Sequence, residues 1–252
     1  MLKKSLLFLF VIVLSSCVSK KKVLYFQDEA KTSYYNTTNF SLKFKKDDLL
    51  AINISSVNLE AVKPFNLPIV SYGLATNSVN GTPKQQSYLI DSNGEIQFPV
   101  IGKLKLAGLT RVEVIDLITK KITPFVNDVT VNVQILNFKI NVIGDVKSPG
   151  TFIITNEKVR IWDVLALAGD LNISGERIIE IKRETEKGIV TGFIDLKSND
   201  LFNSPFYYLQ QNDIVYVRQN NAKLQSASSN KNTGLYISIT SVLITLISIL
   251  TR

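Results

Sequence analysis

Short runs of apolar residues, alternating or continuous, recur along both halves of the chain and predict a strand-rich fold. Each run is a few residues long and is bounded by turn formers, as strands usually are. The predicted strands cover residues 49–54, 128–134, 139–143, 151–154, 178–182, 189–194 and 214–218. The dipeptide Asn93-Gly94 favours the positive φ angles of a tight turn, so we expect a hairpin over 87–98.

Two helices are predicted among these strands, one in each half of the chain. Thr110 and Glu113 have the spacing of a capping box, which opens a helix that continues to about residue 122 and ends before Pro124. The predicted apolar face of this helix comprises Val112, Ile115, Ile118 and Ile122. The second helix has apolar residues at i, i+3, i+4 and i+7 and then a glycine, namely Ile161, Val164, Leu165, Ala168 and Gly169. Short strands crossed by one helix in each half indicate an α+β fold.

The beginning of the chain has the pattern of a secretory signal. Two lysines precede an apolar stretch over 6–14 that is too short to span a membrane. This stretch leads into the segment LSSC (14–17), which resembles the bacterial lipobox, and Cys17 is the only cysteine of the sequence. We therefore expect removal of residues 1–16 and a covalent diacylglycerol and acyl chain on Cys17. The alternative is a buried cysteine that follows an ordinary signal.

The end of the chain is apolar and without charge over 235–250. At about 1.5 Å per residue this segment would form a helix of roughly 24 Å, which is short for a hydrocarbon core of about 30 Å. On a helical wheel, one arc of about 80° collects Ser238, Ser241, Thr245, Ser248 and Arg252. This stripe could face a water-filled lumen in an assembly of helices. It could equally serve close helix–helix contacts, or the hydroxyls could bond their own i−4 carbonyls.

Composition adds a net charge of +8, which suits acidic partners such as acidic polysaccharides or lipid headgroups. No basic stripe interleaved with aromatic residues is present, so a nucleic-acid partner is not expected. The sequence has no histidine, which removes histidine-based acid–base catalysis and the usual zinc ligand sets. Five aspartates lie beside predicted turns, where they would bond backbone amides, namely Asp47, Asp48, Asp91, Asp145 and Asp213. We expect neither an enzyme nor a metal or cofactor site.

Motifs in the first half resemble the polysaccharide export domain. The segment FKKDDLLAI (44–52) is similar to the opening "pGDvLsI" of that domain, with Asp47 in place of the usual glycine. The segment YLIDSNGEIQFPVIG (88–102) resembles its "vd.dG.i.lPliG", and GLT (108–110) resembles the "GlT" before its helix. The resemblance therefore implies a small, β-rich polysaccharide export domain over 41–137.

Motifs in the second half resemble the soluble-ligand-binding β-grasp (SLBB) domain. The segment VIGDVKSPGTF (142–152) is similar to "v.GeVknPGty", and QNDIVYV (211–217) is similar to "pgDiv.V". The segment ALAGDL (166–171) resembles "alAGGl", with Asp170 in place of the second glycine. The two replaced glycines suggest altered turns. Across both domains, the positions that the resemblance marks as motif turns are Asp48, Asp91, Gly94, Pro99, Gly102, Gly144, Pro149, Gly150, Gly169 and Asp213.

Taken in order, these features resemble the Wza-type outer-membrane polysaccharide export lipoproteins. The implied organisation is a lipidated linker at 17–40, the export domain, an SLBB domain at 138–218, a linker at 219–234 and a membrane helix at 235–251. The resemblance further implies a homo-oligomeric ring, octameric in known relatives, that is lipid-anchored in the outer membrane with its domains in the periplasm. Its terminal helices would form a pore for capsular polysaccharide or exopolysaccharide, fed by an inner-membrane co-polymerase complex.

A second function remains open from the sequence. The chain could instead be a membrane-tethered polysaccharide-binding or scaffolding lipoprotein, with a single anchor helix and no pore. The two functions differ in whether the chain assembles into a ring and in whether the hydroxyl stripe of the terminal helix faces water.

Overall fold

The computed structural model describes residues 23–28, 35, 40–70, 84–228 and 233–250. In the first half, the elements are β1 (Leu49–Ser55), α1 (Leu59–Val62), β2 (Ile69–Val70), β3 (Lys84–Gln85), β4 (Tyr88–Leu89), β5 (Glu95–Phe98), β6 (Gly102–Lys105), α2 (Arg111–Ile122) and β7 (Thr130–Ile135). In the second half, they are β8 (Lys139–Gly144), β9 (Gly150–Ile153), β10 (Val159–Arg160), α3 (Ile161–Leu167), β11 (Gly175–Thr185), β12 (Gly188–Asp195), β13 (Tyr208–Leu209), β14 (Ile214–Gln219), α4 (Asn221–Ser228) and α5 (Thr233–Leu250). The mixture of helix and strand confirms the predicted α+β fold.

Two hydrophobic cores divide the described residues. We call residues 43–135 the first unit and residues 138–219 the second unit. In the first unit, α2 packs on an antiparallel sheet of order β4-β1-β7, and Ile52, Val133 and Ile118 are fully or almost fully buried between them. In the second unit, α3 packs on a five-stranded sheet of order β12-β11-β14-β8-β9. The domain boundaries and the SLBB assignment stay predictions.

The second-unit sheet is mixed. β14 and β8 run parallel, from Ile214↔Asn141 to Val217↔Gly144, and all other neighbouring strands are antiparallel. The four apolar positions predicted for α3 are all buried, and the helix ends at a glycine with φ of +75°. The second unit is thus a mixed sheet covered by one helix, and its β-grasp-like assignment stays a prediction.

The hairpin predicted over 87–98 is wrong in its pairing. The tight turn at Asn93-Gly94 is present, and the backbone N–H of Gly94 donates to the carbonyl of Asp91 at 2.8 Å. However, β4 pairs with β1, and β5 pairs instead with β6 through Glu95↔Lys105 to Phe98↔Gly102. The turn chemistry is local, whereas the choice of partner strand depends on burial that the turn does not determine.

One further expectation is corrected. The capping box that opens α2 is confirmed, but its buried face comprises Val114, Ile118 and Ile122, whereas Val112 is exposed. The error arises because a helix of 3.6 residues per turn admits two overlapping apolar stripes over this sequence. Within the linker predicted at 219–234, residues 221–228 form α4.

Candidate functional site

A buried carboxylate holds the turn that opens β1. Asp48 is almost inaccessible to solvent, and its Oδ2 accepts a hydrogen bond from the backbone N–H of Lys45 at 2.7 Å. Burial raises the pKa of Asp48 to about 6, although the hydrogen bond from Lys45 opposes the rise. The same turn joins β4, because Asp47 N donates to Ile90 O at 2.9 Å and Ile90 N donates to Asp48 O at 3.0 Å. Asp48 therefore acts as the turn former that its position predicted.

Asp91 forms the next motif turn through the same chemistry. Its Oδ1 accepts hydrogen bonds from the backbone N–H groups of Asn93 at 2.9 Å and of Glu95 at 2.8 Å. The bond from Glu95, followed by that from Asn93, lowers the pKa of Asp91 although burial opposes this. Gly94 lies inside this turn with φ of +79°. The carboxylate thus serves as the acceptor for backbone N–H groups that the turn would otherwise leave unpaired.

The tip between β5 and β6 contains the next two motif positions, Pro99 and Gly102. The backbone N–H of Ile101 donates to Pro99 O at 2.6 Å, and Gly102 has φ of +85°. Between them, Val100 has φ of +63° and is exposed. A left-handed backbone is strained at a β-branched residue, so this exposed tip stores backbone strain.

Gly144 is the motif position with the strictest requirement. Its φ is +98°, and a Cβ atom there would lie 2.0 Å from the backbone oxygen of Val217 on the neighbouring strand β14. Pro149 and Gly150 carry the chain from β8 into β9, and a Cβ atom on Gly150 would meet nothing within 4 Å. Gly144 is therefore fixed by close approach of two backbones, whereas Gly150 is not.

The two aspartates that replace family glycines keep the backbone that glycine would adopt. Asp47 has φ of +67° and Asp170 has φ of +72°. Aspartate tolerates the left-handed region better than most residues because its short side chain bonds locally. Asp170 does so, since its Oδ1 accepts from the backbone N–H of Leu171 at 2.7 Å.

Asp213, the last motif position, is completely buried in an ion pair with Arg183. The Arg183 Nη2 atom lies 2.7 Å from Asp213 Oδ2, and its Nε lies 3.0 Å from Oδ1. Asp213 Oδ2 also accepts the backbone N–H of Gln210 at 2.8 Å, which is the expected turn contact. The Arg183 guanidinium further lies 4.8 Å from the ring centroid of Phe206. A bidentate, stacked arginine of this kind satisfies a buried carboxylate well.

Asp145 connects the second unit to α4. Its Oδ1 accepts hydrogen bonds from Lys223 Nζ at 2.6 Å and from Asn172 Nδ2 at 2.8 Å. Burial alone would raise the pKa of Asp145, but the hydrogen bonds from Lys223, Ser174 and Asn172 outweigh it and the pKa is lowered. Lys223 lies on α4, so this pair fixes the helix that leads towards α5.

Residues 23–28, which we call the N-terminal strap, lie along the second unit. The backbone N–H groups of Phe26 and Gln27 donate to Leu196 O at 3.2 Å and to Lys197 O at 2.6 Å. Arg177 Nε donates to Val23 O at 3.0 Å. Through these backbone contacts, the strap runs beside the residues that follow β12.

Aromatic side chains strengthen the attachment of the strap. Trp162 of α3 lies 5.9 Å from the ring of Tyr25 and 4.8 Å from that of Phe26, measured between centroids. The Tyr25 hydroxyl donates to Asp170 Oδ1 at 2.7 Å. Burial and then this hydrogen bond raise the pKa of Tyr25. The strap is thus held by stacking, hydrogen bonds and the Arg177 guanidinium, 5.5 Å from the Tyr25 ring centroid.

A groove of about 260 Å³ lies between the two units. Its apolar floor includes Phe44 of the first unit and Phe138 of the second. An ion pair between Arg111 Nε and Glu157 Oε2, 3.3 Å apart, crosses its rim. None of the ten motif positions lines this groove. The motif turns therefore lie at separate points of the two units and do not converge on one cleft.

The C-terminal helix α5 has its described side chains exposed along its whole length. Three of the predicted stripe residues bond their own helix, since the hydroxyls of Ser238, Ser241 and Thr245 donate to the carbonyls of Leu235, Ser238 and Ser241, each at 2.8 Å. Ser248 is exposed on the helix, whereas Arg252 and Cys17 lie outside the described residues. By length and hydropathy, none of the helices in the described ranges qualifies as a membrane span.

The same part of the chain contains no cluster of three or more histidine, cysteine, aspartate or glutamate side chains arranged to hold a metal ion. Sequence reasoning missed the long-range pairs of the second unit. Arg183 is separated from Asp213 by 30 positions and Lys223 from Asp145 by 78. It also missed the strap, although the apolar run VLYF (23–26) between polar residues was a signal.

Comparison with known proteins finds similarity to polysaccharide export proteins in the first half of the chain. Residues 37–136 match the family described as polysaccharide biosynthesis/export protein. The EPS I polysaccharide export outer membrane protein EpsA of Ralstonia solanacearum is 38% identical over 115 residues, which cover 44% of this chain and 30% of that protein. The protein of the same name from Ralstonia nicotianae is 36% identical over 105 residues, which cover 40% of this chain and 27% of the relative.

These matches span less than a third of the length of either relative. The family match at 37–136 covers the first unit, in which the motifs FKKDDLLAI and YLIDSNGEIQFPVIG form the turns at Asp48 and Asp91. The resemblance to polysaccharide export proteins that these motifs indicated is confirmed. Over residues 37–136, the chain is thus similar to the polysaccharide biosynthesis/export protein family.

Proposed function

We propose that this protein is a conduit for the export of capsular polysaccharide or exopolysaccharide across the outer membrane. Several copies assemble into a closed ring, with the two units in the periplasm and the C-terminal helices together forming the pore. The polymer is the cargo, and an inner-membrane co-polymerase complex delivers it. The protein acts by enclosing a path, not by catalysis.

The observation that carries this proposal is the export domain at 37–136, whose relatives are named polysaccharide export outer membrane proteins. The apolar helix α5 supports it, since Leu243 and Ile249 are more than half exposed and no other element of the described chain covers them. Eighteen residues at about 1.5 Å each give α5 a length of roughly 27 Å. Side chains this apolar require lipid or neighbouring helices, and a ring of helices provides both.

Attachment to the membrane is proposed to use two signals. A diacylglycerol and an acyl chain on Cys17 form the first, and α5 forms the second; together they give stable anchoring where one would be marginal. Within the ring, the stripe of Ser238, Ser241, Thr245, Ser248 and Arg252 faces the lumen. Hydroxyls that donate to their own helix keep free lone pairs, which water or sugar hydroxyls can use.

The second candidate is a tethered polysaccharide-binding or scaffolding lipoprotein whose α5 is a lone anchor. One observation favours this candidate. The hydroxyls of Ser238, Ser241 and Thr245 are hydrogen-bonded within α5, so they do not need a water-filled lumen. The two candidates differ in assembly state.

The test is the size and shape of the full-length protein after extraction in mild detergent. We expect closed rings in electron micrographs and a single oligomeric mass by light scattering. Complementation of a deletion strain should restore surface polysaccharide. If the protein restores export in the deletion strain but is monomeric at every concentration after extraction, the conduit is contradicted and the tethered module is favoured.

A further inference from the structure

One edge of the second-unit sheet lacks the features that normally keep an edge strand from pairing with another chain. β12 is the outermost strand and pairs without a bulge with β11, from Ile178↔Asp195 to Thr185↔Gly188. From Gly188 to Ile194 it contains no charged residue and no proline. Natural edge strands are usually short, bulged or guarded by lysine or proline. Within the described ranges, no strand pairs with the outer side of β12.

The side chains of β12 are also apolar where they meet solvent. Ile189 is 72% exposed and Phe193 is 57% exposed. Both lie on the outward face of the sheet, opposite Glu184 and Glu180 of β11. A long, flat edge with exposed apolar residues is an aggregation hazard unless a partner covers it.

The opposite edge of the same sheet, β9, has matching properties. It pairs with β8 on one side only, and the four residues Gly150–Ile153 carry no charge. Ile153 is 73% exposed, close to the exposure of Ile189 on the other edge. Pro149 precedes β9 and cannot donate to a ladder, so any partner strand is limited to these four residues.

Strand directions determine how two such sheets would meet. The pairings β12–β11 and β11–β14 are antiparallel, β14–β8 is parallel and β8–β9 is antiparallel, so β12 and β9 run in opposite directions. Copies related by rotation about an axis roughly parallel to the strands keep their strand directions. The β9 strand of one copy would then meet β12 of its neighbour antiparallel, which is the more stable arrangement.

We propose that β12 of one copy pairs antiparallel with β9 of the next, so that the sheets of the second units join edge to edge. This contact uses two different surfaces, as every contact in a closed ring of more than two copies must. The inference therefore rests on the proposed ring. It assigns the ring contact to a backbone ladder between Gly188–Ile194 and Gly150–Ile153, with Ile189 and Ile153 covered on the outward face.

Engineered cysteines test the pairing in the full-length protein. Thr191 of β12 and Thr151 of β9 are exposed and lie on the same outward face. The double variant Thr191→Cys/Thr151→Cys, treated with a short bis-maleimide, should give a ladder of dimers, trimers and larger products in denaturing gels. Each single variant and the unsubstituted chain, with Cys17 alone, should give none. Since the register is not fixed, Ile189→Cys/Ile153→Cys serves as a second pair.

A charge at the edge provides an independent readout. Thr191→Lys should move most of the protein from rings to monomers, at least a tenfold loss of assembled material. Glu184→Lys places a lysine on the same face of the sheet but on β11, the neighbouring inner strand. This variant should assemble normally. Dimers from Thr191→Cys alone, without a ladder from either double variant, would show symmetric β12 pairing and overturn the proposal. If both double-cysteine variants form rings but neither gives cross-linked products, the proposed β12–β9 contact is wrong and the conduit still stands. If the unsubstituted protein forms no rings, both the contact and the conduit are wrong.

Discussion

At the scale of a single residue, Gly144 shows how two backbones in contact limit the sequence. A methyl group at this position would overlap the carbonyl of Val217, and the backbone there is left-handed. We expect Gly144→Ala to lower the free energy of unfolding of the second unit by about 3 kcal/mol or more. The measurement is urea unfolding followed by the fluorescence of Trp162, the single tryptophan, which packs in this unit.

Gly150 offers the matched control, because it lies in the same motif and has open space where a Cβ would be. Gly150→Ala should change the free energy of unfolding by no more than about 1 kcal/mol. If the two variants unfolded at the same urea concentration, close approach of β8 and β14 would not be what selects glycine at position 144.

Single residues also show what the sequence can and cannot predict. The turns at Asp48 and Asp91 were predictable because their hydrogen-bond partners lie within four positions of the aspartate. The left-handed backbone at Asp47 was not anticipated, although aspartate is one of the few residues that tolerate it. The Arg183–Asp213 pair was beyond prediction, because it depends on β11 and β14 becoming neighbours in the sheet.

At the scale of secondary structure elements, helix caps and turns were predicted correctly from local sequence, whereas the pairing of strands was not. The capping box placed the start of α2 correctly, since both of its hydrogen bonds join Thr110 and Glu113. The turn at Asn93-Gly94 was also correct, but its flanking strands chose other partners. β4 completes the sheet beside β1, where Tyr88 is buried against Phe98 with ring centroids 5.3 Å apart.

The helix α5 allows its two faces to be compared directly. Leu243 and Ser241 are two positions apart and both exposed, but on a wheel they lie on the aliphatic face and in the hydroxyl stripe. In the proposed ring, Leu243→Asp should place a charge in lipid at a cost of about 2–3 kcal/mol per subunit, multiplied around the ring. We expect loss of membrane insertion with the two units still folded, measured by carbonate extraction and by Trp162 fluorescence.

Ser241→Asp is the counterpart in the stripe. It should leave insertion intact, because its charge would face water, and should instead change polymer release or the conductance of reconstituted rings. Equal loss of insertion in both variants, with no effect on export specific to Ser241, would indicate that α5 is a lone anchor.

At the scale of the whole molecule, both ends of the described chain leave from the second unit. The strap is fixed there by Arg177 and Trp162, and α4 is fixed there by the pair of Lys223 with Asp145. The first unit joins the second through Lys45, whose Nζ donates to Gln210 Oε1 at 2.9 Å, and through Arg111 at the groove. If Cys17 and α5 attach the protein to a membrane as proposed, that membrane holds the second unit directly and the first unit only through it.

This arrangement predicts which unit lies nearer the membrane. If Cys17 is lipidated as proposed, the six positions to Val23 can span at most about 20 Å. A thiol-reactive fluorophore on Ile173→Cys, beside the strap, should transfer energy efficiently to a headgroup-labelled lipid in proteoliposomes. The same fluorophore on Val57→Cys, an exposed position of the first unit, should transfer much less. Acylated Cys17 would not react with the label. Equal transfer from both positions would mean that the two units lie side by side on the membrane, and the strap would then attach the chain without orienting it.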